Sequence, residues 1–213
     1  MLRKIKSILG KADVIKPIVD MRNYGTNPFS YTGNSLSDSN VLFVSNIKLA
    51  NRDVNVIEGI MQKENCNYTI FEYEEDRVLD TLNIREVAKS LIGPFDHVIN
   101  LFYVNQNINE DFVEDFYKNI KVETEYLINS VKYGTVCTAV IYNSNIGIEK
   151  KASLHGIKSL IEGLGIVLPN HGLISNGVLA DDRIPIASII NTVLFLSSKF
   201  GQILTGEVFE MKL

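Results

Sequence analysis

Few polar side chains in this sequence are spaced to do chemistry on their own. Cys66 and Cys137 lie far apart and lack CxxC spacing, so neither a disulfide framework nor a zinc site is expected. Other groups able to serve chemistry, among them Asn119, His155 and Lys158 in helix-patterned stretches and Ser144 where an apolar strand runs into a loop, are not marked as a site by their spacing. An amide, an imidazole, an ammonium and a hydroxyl are groups that orient a reacting oxygen or carry its proton. Each also has an ordinary reading. Asn143-Ser144-Asn145 is a plain turn sequence, and Asn119 and Lys158 suit the outside of amphipathic helices.

Any such site needs a framework, and composition bounds it. Over 213 residues, apolar types make up 46% and charged types 22%, the balance of an ordinary globular chain with room for one sizeable core. Lys and Arg total 21 against 25 Asp and Glu, so the net charge is −4. That argues against broad nucleic-acid binding, which needs clustered positive charge. No apolar run reaches the roughly 18 residues needed to cross a bilayer. The basic N-terminus is followed by too short an apolar stretch for a secretory leader, and a cytoplasmic location is expected.

Residues 1–37 read as an N-terminal extension. Met1–Lys11 is basic with Leu2, Ile5, Ile8 and Leu9 at helical spacing, and a turn-rich stretch follows to Ser35. Ile15, Ile18, Val19 and Phe29 suit an arm wrapped on its own domain; a docking arm for a partner or an anionic surface is the alternative.

From residue 38 to 213 strand and helix signals alternate. Strands are predicted at Asn40–Ser45, Asn67–Tyr73, His97–Val104, Val136–Tyr142, Gly172–Leu179 and Glu207–Lys212. Helices are predicted at Asp53–Gln62, Asn83–Ile92, Asn109–Tyr133, Lys150–Leu168 and Pro185–Ser198. This order implies an α/β fold: a three-layer α/β/α sandwich, Rossmann-like, around a doubly wound and mostly parallel sheet of about six strands.

The C-terminal half resembles the short-chain dehydrogenase/reductase family. Ile186-Ala187, Phe195-Leu196-Ser197-Ser198 and Thr205-Gly206-Glu207-Val208 fall in the order and spacing of that family's closing helix, turn and strand. The resemblance runs from about Asp38 to Leu213, strongly at the end and weakly at the start. It implies a catalytic set of Asn, Ser, Tyr and Lys. The matching positions are Asn119, Ser144 and Lys158, but the tyrosine, which would be the general acid, is Leu154. Leucine carries no proton. His155 beside it is turned about 100° away along the helix.

The cofactor half of the pattern is also altered. The family's first strand leads into a glycine-rich turn that lets backbone approach a pyrophosphate. Here Ser45–Arg52 contains no glycine; a left-handed Asn46, or Lys48 or Arg52 facing a phosphate, is what could still help. The family's Asn-Asn-Ala-Gly signature is reduced to Asn100, followed by Leu101, Phe102 and Tyr103, whose bulk falls where the family keeps small residues. One edge strand is missing between Val44 and His97, and only Ala180–Ile184 stand where the family carries a substrate lid.

The reading is a degenerate, non-catalytic family member acting as a scaffold, regulatory or partner subunit, with no cofactor. The alternative is an NAD- or NADP-dependent oxidoreductase of the ketone/alcohol or acyl-thioester type with an atypical site. The resemblance further implies association through the two long helices, with a second copy or an active relative. Ala152, Leu154, Ile157, Leu160, Ile161 and Leu164 on one helix, and Phe112, Phe116, Ile120, Tyr126 and Leu127 on the other, supply the apolar surface expected for it.

Overall fold

The computed structural model describes residues 36–72, 84–86, 94–104, 112–143, 145–198 and 201–212. Strand β1 (Asn40–Ser45) carries the continuous apolar run Val41–Val44 and is buried at every position, as a central parallel strand must be. Helix α1 (Asn51–Glu64) follows and ends at Asn65, whose left-handed backbone returns its N–H to Gln62 and Met61. Then come β2 (Asn67–Glu72), β3 (His97–Val104), α2 (Phe112–Ser130), β4 (Gly134–Tyr142), α3 (Ile148–Val167), β5 (Leu173–Asp181), α4 (Ile186–Ser197) and β6 (Val208–Met211).

The six strands form one sheet in the order β2-β1-β3-β4-β5-β6, and each neighbouring pair is parallel. Two apolar cores flank it. One holds Leu42, Val98, Phe102 and Val140 under α2 and α3. The other holds Val41, Phe43, Ile99, Leu101 and Val178 under α1 and α4. The three-layer, doubly wound architecture is as the sequence implies. Strand order reverses between β1 and β3, so the crevice above their C-terminal ends is where a ligand of such a sheet would sit.

Predicted boundaries hold to within two or three residues wherever the structure describes them. All of the expected N-terminal extension but Leu36 and Ser37, most of the Asn83–Ile92 helix and the first residues of the Asn109–Tyr133 helix lie outside the described residues.

The helix faces need a correction. Phe112, Phe116, Ile120, Tyr126 and Leu127 of α2, and Leu154, Ile157 and Ile161 of α3, are buried against their own sheet. Parallel strands are covered on both faces, so these two helices spend their widest apolar stripes internally. Of the expected set, Ala152 is exposed and Leu160 and Leu164 are half-buried; the large exposed apolar residues of the two helices are Tyr117, Ile128, Ile148, Ile166 and Val167.

Candidate functional site

The crevice between β1 and β3 is built from the turn Ser45–Arg52. β1 stops pairing at Ser45↔Leu101, while β3 continues to Val104. The backbone of Tyr103 therefore has no β1 residue to complete its ladder. The side chain of Asn46 takes that place. Tyr103 N–H donates to Asn46 Oδ1 at 2.7 Å, and Asn46 Nδ2 donates to the Tyr103 carbonyl at 3.0 Å. An asparagine amide carries the same donor and acceptor as a peptide group, so it extends the sheet by one rung across the crevice. Asn46 is not left-handed, contrary to the sequence expectation; positive φ among the described non-glycine residues occurs at Asp38 and Asn65.

Two further side chains hold the turn. The Ser45 hydroxyl, fully buried, donates to the Ile47 carbonyl at 2.8 Å. Glu72, at the C-terminal end of β2, accepts from Leu49 N–H at 2.8 Å. That places a carboxylate at the mouth of α1, where free N–H groups would otherwise face an anion. Arg52 pairs with Asp53 at 3.8 Å, and Lys48 is exposed.

Tyr103 and Phe102 point to opposite faces of the sheet. Tyr103 packs in the α1 and α4 core, and burial, helped by the Asp53 charge, pushes its phenol up to about 12. Phe102 packs on the other side between Phe112 and Phe116, with ring centroids 6.1 and 5.1 Å away. Its bulk thus belongs to the α2 core; Tyr103 alone crowds the α1 side.

Each described position of the catalytic set has surroundings of its own. Leu154 is 6% exposed and belongs to the apolar core under α2 and α3. Lys158, one turn on, directs its ammonium to Glu210 of β6 at 3.7 Å, and Glu210 also pairs with Lys212. Asn119 lies on the inner face of α2, 2% exposed, with no partner for either amide atom. No hydrogen bond or ion pair joins it to Lys158 among the described residues. Ser144 lies outside the described residues, although its neighbours are held: Asn145 N–H donates to Asn143 Oδ1, and Asn143 Nδ2 donates to Asp182 at 2.9 Å. His155 is exposed.

Lys158 bridges α3 to the edge strand, and both partners remain partly solvated. Lys158→Ala is therefore expected to cost less than about 1 kcal/mol in a denaturant melt, the scale of an exposed ion pair. A loss of several kcal/mol would make it a structural keystone instead.

The short β5–α4 connection, residues 182–185, is also tied down. Arg183 forms a two-pronged pair with Asp181, Nε to Oδ1 at 2.6 Å and an Nη to Oδ2 at 2.9 Å. Asn176, on β5, has a structural task. Its amide donates to the carbonyls of Leu196 and Gly201 and accepts from Glu207 N–H, anchoring the end of α4 and the approach to β6.

Three residues were not singled out for these tasks in the sequence: Glu72, Glu123 and, as a rung of the sheet, Asn46. Only Asn46 carried a signal, as the polar residue directly after a buried strand. Glu123 is fully buried on α2, and its Oε2 accepts from Asn100 Nδ2 at 2.7 Å.

Neither a protein-family model nor a curated protein matches the chain at the level of sequence. Solved structures do match. A short-chain dehydrogenase from Mycobacterium smegmatis superposes with a TM-score of 0.62 over 89% of this chain and 98% of its own, at 14% identity. Two mutants of a Serratia marcescens short-chain dehydrogenase/reductase superpose with TM-scores of 0.62 over 83% of this chain and 97% of theirs, at 12% identity. The chain has the fold of the short-chain dehydrogenases.

Proposed function

We propose that this chain descends from short-chain dehydrogenase/reductases, has given up their chemistry, and works as a scaffold, regulatory or partner subunit. The observation that carries the reading is the crevice filled by the protein itself. The Asn46 rung spans β1 and β3, and the Glu72 carboxylate takes a turn N–H that a pyrophosphate would need. A carboxylate there also repels phosphate charge. These residues do not fit NAD or NADP in the manner of the family. Leu154 in place of the proton donor, and Lys158 committed to Glu210, support the same conclusion for catalysis.

On this reading the protein acts by association. The outward faces of α2 and α3, with Tyr117, Ile128, Ile148, Ile166 and Val167 exposed, meet a second copy or an active relative in the cytoplasm. Calorimetric titration with NAD(H) and NADP(H) tests the first half and is expected to give no binding at micromolar affinity. Sedimentation tests the second half and is expected to give a species heavier than the 23.9 kDa chain, alone or mixed with an active relative. Micromolar dinucleotide binding with turnover of a ketone or thioester would instead establish an oxidoreductase with an atypical site.

A further inference from the structure

The inner face of α2 carries a polar cluster that the proposed function does not use. Asn100 lies midway along β3, between Val98 and Phe102 on the strand face that α2 covers. Its amide donates to Glu123 Oε2, and the second oxygen, Oε1, has no partner. Asn119 is one helical turn before Glu123 on the same face, and both its amide atoms are also unpartnered. All three residues are at most 5% exposed.

A buried carboxylate is held by a cation, a metal or several N–H donors. Glu123 has one amide donor and no ion pair among the described residues. Among the described residues, the groups around it supply no charge. β1 presents Leu42 and Val44, and β3 presents Val98, Asn100 and Phe102. β4 presents Val136, Thr138 and Val140, with Tyr142 at its far end beside Lys212 and Glu210. α3 presents Leu154, Ile157 and Ile161, and its Lys158 is turned to Glu210. On α2 itself, Lys118 and Lys121 form exposed pairs with Glu114 and Glu125, and the Tyr126 hydroxyl accepts from Phe95 N–H.

We propose that Asn100, Asn119 and Glu123 form a proton-binding site inside the core, in which a neutral Glu123 carboxyl is shared with Asn119 and the seating of α2 depends on that proton. A proton on Oε1 turns an orphaned acceptor into a donor. It can then be shared with the Asn119 amide oxygen one turn away, directly or across one internal water. Burial acts in the same direction, pushing the carboxyl up to about 8 against the smaller opposing effect of the Asn100 hydrogen bond.

The folded value lies above that of an unfolded glutamate. Stability is therefore full below the unfolded value, falls as pH rises above it, and levels off once pH passes the folded value. Carboxyl-carbon NMR of the glutamate-labelled full chain tests this without a variant. One glutamate resonance is expected to titrate near 8, with the others in the ordinary range. Thermal melts supply the second arm. Wild type is expected to lose at least about 5 °C between about pH 6 and about pH 9, and Glu123→Gln, which keeps a donor for Asn119, is expected to lose less than half as much. Ordinary titration of every glutamate, or equal losses in wild type and Glu123→Gln, would overturn the proposal. If Glu123→Gln does not fold, the NMR titration decides alone.

Discussion

Gly165→Ala is expected to lower stability by more than about 4 kcal/mol, or to prevent folding. α3 crosses directly over the turn before β6. A Cβ on Gly165 would overlap the Cα and N of Gly206. Those are backbone atoms, so no side-chain rotation relieves the clash. The turn cannot retreat either. Gly206 N–H donates to the Ser175 carbonyl at 2.7 Å, Thr205 Oγ1 donates to the Gly165 carbonyl at 3.3 Å, and Gly206 has φ +83°. Moving it would pull β6 from β5 and loosen the cover over Gly177, which lies against Ile161. The same helix contains its own controls. A Cβ on Gly156 or Gly163 meets nothing within 4 Å. Gly156→Ala and Gly163→Ala should instead raise stability by up to about 1 kcal/mol through helix propensity. Denaturant melts of the three variants make the comparison. Equal small effects in all three would mean that α3 and the turn do not touch.

This contact also explains why Thr205-Gly206 was legible in the sequence. A residue that must sit at positive φ against another backbone is confined to glycine, and the confinement leaves a pattern. The buried strands were legible for a similar reason: β1 and β3 are mostly apolar because both faces are covered. The missing glycines of Ser45–Arg52 were legible too, but what replaced them was not. Asn46 and Tyr103 are 57 positions apart, and Glu72 reaches Leu49 across 23. No local periodicity reports such pairings. Glu123 was hidden for the opposite reason. In the run Lys121-Val122-Glu123-Thr124-Glu125 it looks like one more solvated charge, and only the seating of α2 on Asn100 buries it. The helix faces misled in the same way. Apolar breadth on α2 and α3 looked like surface for a partner, but the sheet face they share absorbs most of it.

Asn46→Ala is expected to cost about 2 kcal/mol, and neither it nor Leu154→Tyr should yield a dehydrogenase. The cost follows from the rung. Removing the amide leaves the Tyr103 N–H and carbonyl without partners in a partly buried crevice, where each orphaned group costs about 1 kcal/mol or more. Opening the crevice does not supply a cradle. The Glu72 carboxylate still holds Leu49 N–H, and no glycine lets the backbone approach a pyrophosphate. Leu154→Tyr restores a phenol four residues before Lys158. Yet Leu154 lies in the core, and Lys158 is drawn to Glu210, so the ammonium that would lower the phenol's pKa is engaged elsewhere. Without a bound hydride source, a proton donor has no reduction to complete. Melts of Asn46→Ala measure the first effect. Titration with NADH and NADPH, and turnover of a panel of ketones and aldehydes by both single variants and the double variant, measure the second. Turnover in the double variant would mean that the crevice opens to a dinucleotide once the rung is gone, and that the rung and Leu154 together silence this chain.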